Sequence, residues 1–178
     1  IKNLDQMITM EFKKISNLVL IIGKTEGHLN QSLFARSILN EKNGPPPEIN
    51  LFNEKNNGET LLQLIKGNYI KSAHDISLGG ILTAVSKMCI KGNKGIVFNK
   101  PKYSMHEFEY LFSEDQGRYV IEIDSSDLKK VTKILEKNSV HFEELGIITD
   151  KHMIINQKTK VTIDELKSYN TKWLNNYM

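Results

Sequence analysis

The stretch SAHDISLGG, Ser72 to Gly80, constrains the path of the chain more than any other. An extended run closes on His74-Asp75, passes Ser77 and reaches Gly79-Gly80, after which Ile81, Val85, Met88 and Cys89 recur at helical spacing. Residues at i, i+4, i+7 and i+8 share one helical face, so a strand, a sharp turn and a helix must follow one another directly. Glycine tolerates the backbone angles and the close approaches that such a turn needs. The first amides of a helix stand at its positive dipole end, where an anion is stabilised, and a phosphate suits the position best. Asp75 is placed to accept a hydrogen bond from the turn or to reach a metal carried by that phosphate, and Ser77 to cap the helix near Gly80. The alternative is architectural: Asp75 and Ser77 close the turn, and the glycines relieve crowding.

The rest of the chain alternates short apolar runs with helical patterns. LVLIIG (residues 18–23) reads as a buried strand. A helix is expected over 31–41 with Leu33, Phe34, Ile38 and Leu39 on one side, stopped by the stiff surface segment NGPPPE. A second helical region, 49–68, points Leu61, Leu62 and Ile65 inward and ends at Gly67. Beyond the glycine turn come a helix near 81–90, a strand GIVF, a helical turn MHEFEYLFSED and a strand GRYVIEI. SSDLKKVTKILEKNS reads as a capped helix; FEELGIITD and HMIIN read as strands paired around Asp150-Lys151. A last helix opens on Thr162 with Glu165 three residues on, a capping-box pattern. Strands and helices mix without strict alternation, which predicts an α+β domain with helices packed on a mixed β-sheet. The 178 residues suit one domain, with 1–16 expected to link it to a preceding one, as the start at Ile1 rather than Met also suggests.

Several functions are excluded or disfavoured. The charge of +3 comes from 24 basic and 21 acidic residues spread along the chain, with no basic cluster interleaved with aromatics, so nucleic-acid binding is not expected. No run of roughly 18 apolar residues predicts a membrane span, and the absence of a signal peptide points to the cytoplasm. The single Cys89 falls in an apolar helical pattern and reads as a buried small hydrophobe. GKT at 23–25 lacks the glycine a phosphate loop needs five residues before Gly23, where Leu18 stands. The five histidines show no zinc spacing. A second cluster, LFSEDQGR, sets Glu114, Asp115, Gln116 and Arg118 between a helix and a strand, where side chains often serve sites. A surface ion pair is the alternative there.

TMEFKKISNLVLIIGKTEGHLNQSLFARSIL, PPPEINL, SAHDISLGG and LFSEDQGRYVIEI, in that order, resemble the C-terminal domain of phosphoribosylformylglycinamidine synthase. The resemblance covers about residues 5–165 and extends to the aminoimidazole ribonucleotide synthetase superfamily, whose C-terminal domains it implies as the fold. It implies part of an ATP-dependent ligase that converts formylglycinamide ribonucleotide, with glutamine-derived ammonia, to the amidine in purine biosynthesis. ATP or ADP with magnesium would be the cofactors. Partners would be the preceding domains, a glutaminase subunit, a small accessory subunit and the phosphoribosyl substrate. His74, Asp75, Ser77, Gly79 and Gly80 would face nucleotide or phosphate, supported by Glu114, Asp115 and Arg118, with no catalytic residue in this chain and no metal ligand assigned. The alternative is a structural domain that completes an internal pseudo-dimer or binds a structural nucleotide. Two residues depart from the family pattern: Leu78 replaces an aspartate, and Ser113 a glycine. The first predicts that this copy of the site binds nucleotide weakly or serves a structural nucleotide rather than a reacting one.

Overall fold

β1 (Leu18–Ile22) shows why its run is apolar without interruption. Alternate side chains of a strand point to opposite faces, and here both faces are covered. In the computed structural model, which describes residues 4–101 and 105–175, Val19 and Ile21 enter one core with α3 (Gly80–Gly92). Leu20 and Ile22 enter a second core with α2 (Leu51–Lys66) and α5 (Leu128–Lys137). β4 (Tyr119–Ile123) and β5 (Phe142–Thr149) flank β1 in antiparallel register, Leu20 standing opposite Ile121. β2 (Ile70–Asp75) lies outside β4; β3 (Gly95–Phe98), β6 (His152–Ile155) and β7 (Thr159–Thr162) extend the other side. The order is β2-β4-β1-β5-β3-β6-β7, with β3 and β6 parallel, so the sheet is mixed and the domain α+β as expected.

Ile81, Val85, Met88 and Cys89 are all fully buried, so the spacing read along α3 is its core face. Burial pushes the Cys89 thiol up to about 12, leaving it a packing group rather than a nucleophile. α6 (Ile163–Asn175) starts on the expected reciprocal cap: Glu165 Oε2 accepts from the Thr162 amide at 2.8 Å, and Thr162 Oγ1 from the Glu165 amide at 3.1 Å.

Three expectations need correction. α1 is short, Leu33–Ser37, and buries Phe34 and Ala35, while Leu33, Ile38 and Leu39 face outward. Asn40, at φ 56°, turns the chain out of the helix. On α2 the fully buried leucine is Leu64; Leu62 is 54% exposed. β5 and β6 are not neighbours, because β3 lies between them. Two glycines permit this insertion: a Cβ on Gly95 would stand 2.0 Å from the His152 carbonyl oxygen, and one on Gly146 2.2 Å from that of Val97. β7 carries no apolar alternation and is an addition to the sequence reading.

The segment before β1 is folded onto the sheet: Phe12 is 1% exposed and its amide donates to the Met88 carbonyl at 3.3 Å. Glu122, on β4 and fully buried, anchors the segment. Its carboxylate accepts from the Lys13 amide at 2.8 Å, the Lys14 amide at 3.0 Å, Asn17 Nδ2 at 2.7 Å and Ser72 Oγ at 2.8 Å.

Candidate functional site: a glycine turn clamped by an acidic loop

Gly79 and Gly80 both adopt positive φ, 82° and 69°, at the start of α3. Gly80 is there because backbone is packed against it. A Cβ at that position would lie 2.7 Å from Leu111 O, Phe112 C and Ser113 O. Gly80→Ala should therefore lower stability by at least about 2 kcal/mol, from left-handed strain plus overlap with immobile backbone, as read by denaturant unfolding. A loss below ~0.5 kcal/mol would mean that the 111–113 segment yields readily. Any Gly80 variant thus tests packing before it tests ligand binding.

The amides of the turn have partners. Gly80 donates to the Ser77 carbonyl at 3.0 Å, so the expected cap by the Ser77 side chain is replaced by its backbone oxygen. Gly79 donates to Glu114 Oε1 at 2.8 Å, and the Leu33 amide reaches the same oxygen at 2.7 Å. The anion seated on the Gly79 amide is the chain's own carboxylate.

The acidic loop, which follows α4 (Glu107–Phe112), is a brace. Asp115 accepts from the amides of Glu26, Gly27 and His28 at 3.0, 3.1 and 3.0 Å. Arg118, its side chain fully buried, stands 3.6 Å from Asp115 Oδ2. It also donates to Asp115 O at 3.2 Å, Thr25 Oγ1 at 3.1 Å and Ser113 O at 2.7 Å. The surface ion pair weighed for these residues is instead a buried network, and Gln116 alone of the cluster is exposed.

His74 and Asp75 close β2, with His74 Nδ1 and Asp75 Oδ1 3.0 Å apart. Burial is the largest influence on the Asp75 carboxyl and raises its pKa, but the charge and hydrogen bond of His74, with a hydrogen bond from its own backbone amide and one from the Ser77 hydroxyl, together outweigh it and hold it below the ordinary value. The Asp75 side chain remains 63% exposed. Two buried side-chain polar atoms are without a partner among the described residues, His74 Nε2 and Ser113 Oγ. One lies on each candidate stretch. Among the described residues no group of three or more His, Cys, Asp or Glu is arranged to hold a metal.

A cleft of ≈ 720 Å³ opens beside this brace, lined by His28, Pro45–Pro47, Asn50, Asn53 and Gln116 among others. His28 Nε2 ties the loop to the proline strip, 2.9 Å from Pro45 O. The sequence reading passed over it, although Asn50, Asn53 and Asn57 at i, i+3 and i+7 mark one polar helical face.

Residues 15–157 match the family described as AIR synthase related protein, C-terminal domain, and the chain belongs to that family. It is 65% identical over all 178 residues to phosphoribosylformylglycinamidine synthase subunit PurL of Pelagibacter ubique (strain HTCC1062), covering 24% of that protein. The chain thus spans about a quarter of the length of the curated relatives it matches. Among solved structures, that of PurLQS from Thermotoga maritima superposes with a TM-score of 0.74 at 17% identity, over 92% of this chain and 28% of that one. T. maritima PurL complexed with ATP gives 0.70 at 18% identity, over 92% and 27%. At such identities the two structures share the fold alone.

Proposed function

We propose that this chain is the C-terminal domain of a phosphoribosylformylglycinamidine synthase, an ATP-dependent ligase that forms formylglycinamidine ribonucleotide from formylglycinamide ribonucleotide and glutamine-derived ammonia in the cytoplasm. The 65% identity over the full chain supports the parent enzyme. Within it, His74, Asp75, Ser77 and the Gly79-Gly80 turn face the phosphates of a bound ATP or ADP. The observation that carries this reading is the pair of partnerless buried atoms, His74 Nε2 and Ser113 Oγ. Buried polar groups are almost always hydrogen-bonded, so each orphan, one on each motif stretch, marks a spot completed by a ligand or ordered water. The described residues do not assemble a magnesium site by themselves, since Glu114 and Asp115 are occupied by amides. The ion would arrive with the nucleotide, and the Asp75 carboxylate, 63% exposed, is the group placed to meet it. Phosphoryl transfer needs donor, metal and acceptor positioned together, and this chain supplies none of the reacting groups. Preceding domains of the ligase, a glutaminase subunit and a small accessory subunit complete the assembly.

A second reading, a structural domain whose turn is architecture, is favoured by the Glu114 carboxylate on the Gly79 amide. Titration of magnesium-ADP into the full-length ligase separates the two. On the first reading His74→Ala weakens one class of site by about tenfold, the cost of one hydrogen bond to a phosphate. An unchanged dissociation constant at every site would leave the turn as scaffold.

A further inference from the structure

We propose that Asn43 is a site of spontaneous covalent modification, losing its side-chain nitrogen as ammonia to become isoaspartate and aspartate, and that the fold spares the same dipeptide at Asn57. The inference stands apart from the ligase reading. The chain holds two Asn-Gly dipeptides, Asn43-Gly44 and Asn57-Gly58. Asparagine before glycine cyclises readily, because no side chain shields the following nitrogen. The structure gives the two sites opposite fates. Asn57, 7% exposed, sits in α2 with its Nδ2 donating to the Gly117 carbonyl at 2.9 Å. Helical backbone angles turn the Gly58 nitrogen away from the Asn57 side chain, and its N–H belongs to the helix ladder. Asn43 is exposed ahead of the proline strip, outside any helix or strand. Neither its side chain nor the Gly44 amide has a hydrogen-bond partner among the described residues. The fold also requires the glycine: Gly44 stands at φ 105°, and a Cβ there would lie 2.6 Å from Asn30 Cγ.

The Gly44 nitrogen attacks Asn43 Cγ. A new N–C bond closes a succinimide ring, the Cγ–Nδ2 bond breaks, and the Gly44 amide proton leaves with Nδ2 as ammonia. Water then opens the ring at either carbonyl. Opening at Cγ gives aspartate; opening at the main-chain carbonyl gives isoaspartate, with the backbone rerouted through Cβ. Water is the only co-reactant. Isoaspartate adds one main-chain atom between the Lys42 and Gly44 carbonyls, which Gln31 Nε2 holds together at 2.8 and 3.1 Å. The lengthened chain no longer brings both carbonyls to that donor. The proline strip that lines the cleft is thereby released from Gln31, leaving the His28 contact to Pro45 O as its tie.

The test is incubation of the full-length protein in mildly alkaline buffer, followed by peptide mass spectrometry with fragmentation that separates isoaspartate from aspartate. Asn43 should convert at least about tenfold faster than Asn57, whose reaction waits on local opening of α2. In urea-unfolded protein the two should convert at similar rates. Equal rates in the folded protein would overturn the proposal. A difference that persists in urea would overturn it too, by placing the cause in neighbouring residues rather than in the fold. Aspartate without isoaspartate would rule out the succinimide route. Hydrogen exchange on the aged protein reads the consequence for the strip. The Glu41 amide, which donates to Ala35 O at 2.9 Å, should exchange faster there than in the Asn43→Asp variant, which adds the charge without the extra atom. Equal exchange in the two would overturn the release of the strip.

Discussion

Replacing Glu122 with alanine should cost at least about 2 kcal/mol, at the lower figure of ~1 kcal/mol for each of the two buried donors left unpaired, Asn17 Nδ2 and Ser72 Oγ. Four donors converge on this carboxylate: the amides of Lys13 and Lys14, the Asn17 side-chain amide and the Ser72 hydroxyl. The residue is fully buried in β4, beside the central strand, so solvent does not take over at Asn17 and Ser72, whereas the Lys13 and Lys14 amides belong to exposed residues that water can serve. Denaturant unfolding of the full-length ligase measures the loss. A change below ~1 kcal/mol would mean that water enters and replaces the carboxylate. Glu122→Gln should fall between, because its Oε1 can still accept from Lys14 and Asn17 while its amide group meets the Lys13 amide donor to donor. Amides 12–14 should exchange faster in both variants, which distinguishes release of the segment from general loosening.

Arg118→Ala should cost about 3–5 kcal/mol, the range for breaking a buried ion pair on one side. Asp115, 5% exposed, would lose the guanidinium beside it, and Ser113 O and Thr25 Oγ1 would lose their donor. Asp115 also holds the 26–28 amides, so hydrogen exchange there should accelerate with the fall in stability. Unchanged exchange at 26–28 beside a large stability loss would show that Asp115 grips the loop unaided. Lysine is a poor substitute, because Arg118 uses three nitrogens in one plane toward three different oxygens.

Much of the fold was legible because its signals are local. LVLIIG is a strand covered on both faces, Ile81 to Cys89 is one helical face, and Thr162 with Glu165 is a cap; each is decided within a few residues of chain. The site was half legible. Gly79-Gly80 correctly announced a turn into a helix, but the occupant of the Gly79 amide, Glu114, lies 35 residues away and nothing in SAHDISLGG points to it. For Arg118 and Asp115 a site role and a surface ion pair stayed open, because spacing carries no information on burial. Glu122 was hidden in GRYVIEI, where a strand former on either side draws attention to the wrong property. Its bonded groups lie up to 109 residues off.

By itself the sequence determined where the chain can be helical or extended, because 3.6- and 2-residue periodicities and glycine turns are properties of adjacent residues. It also carried the family, through motifs kept in order along the chain. The tertiary structure alone decided that β3 separates β5 from β6, that Glu114 sits on the glycine turn and that Glu122 and Arg118 are buried. Those outcomes depend on which distant backbone approaches closely enough to share a hydrogen bond. That choice is settled by the whole core packing at once, since a buried charge or amide is tolerated only where every partner arrives together.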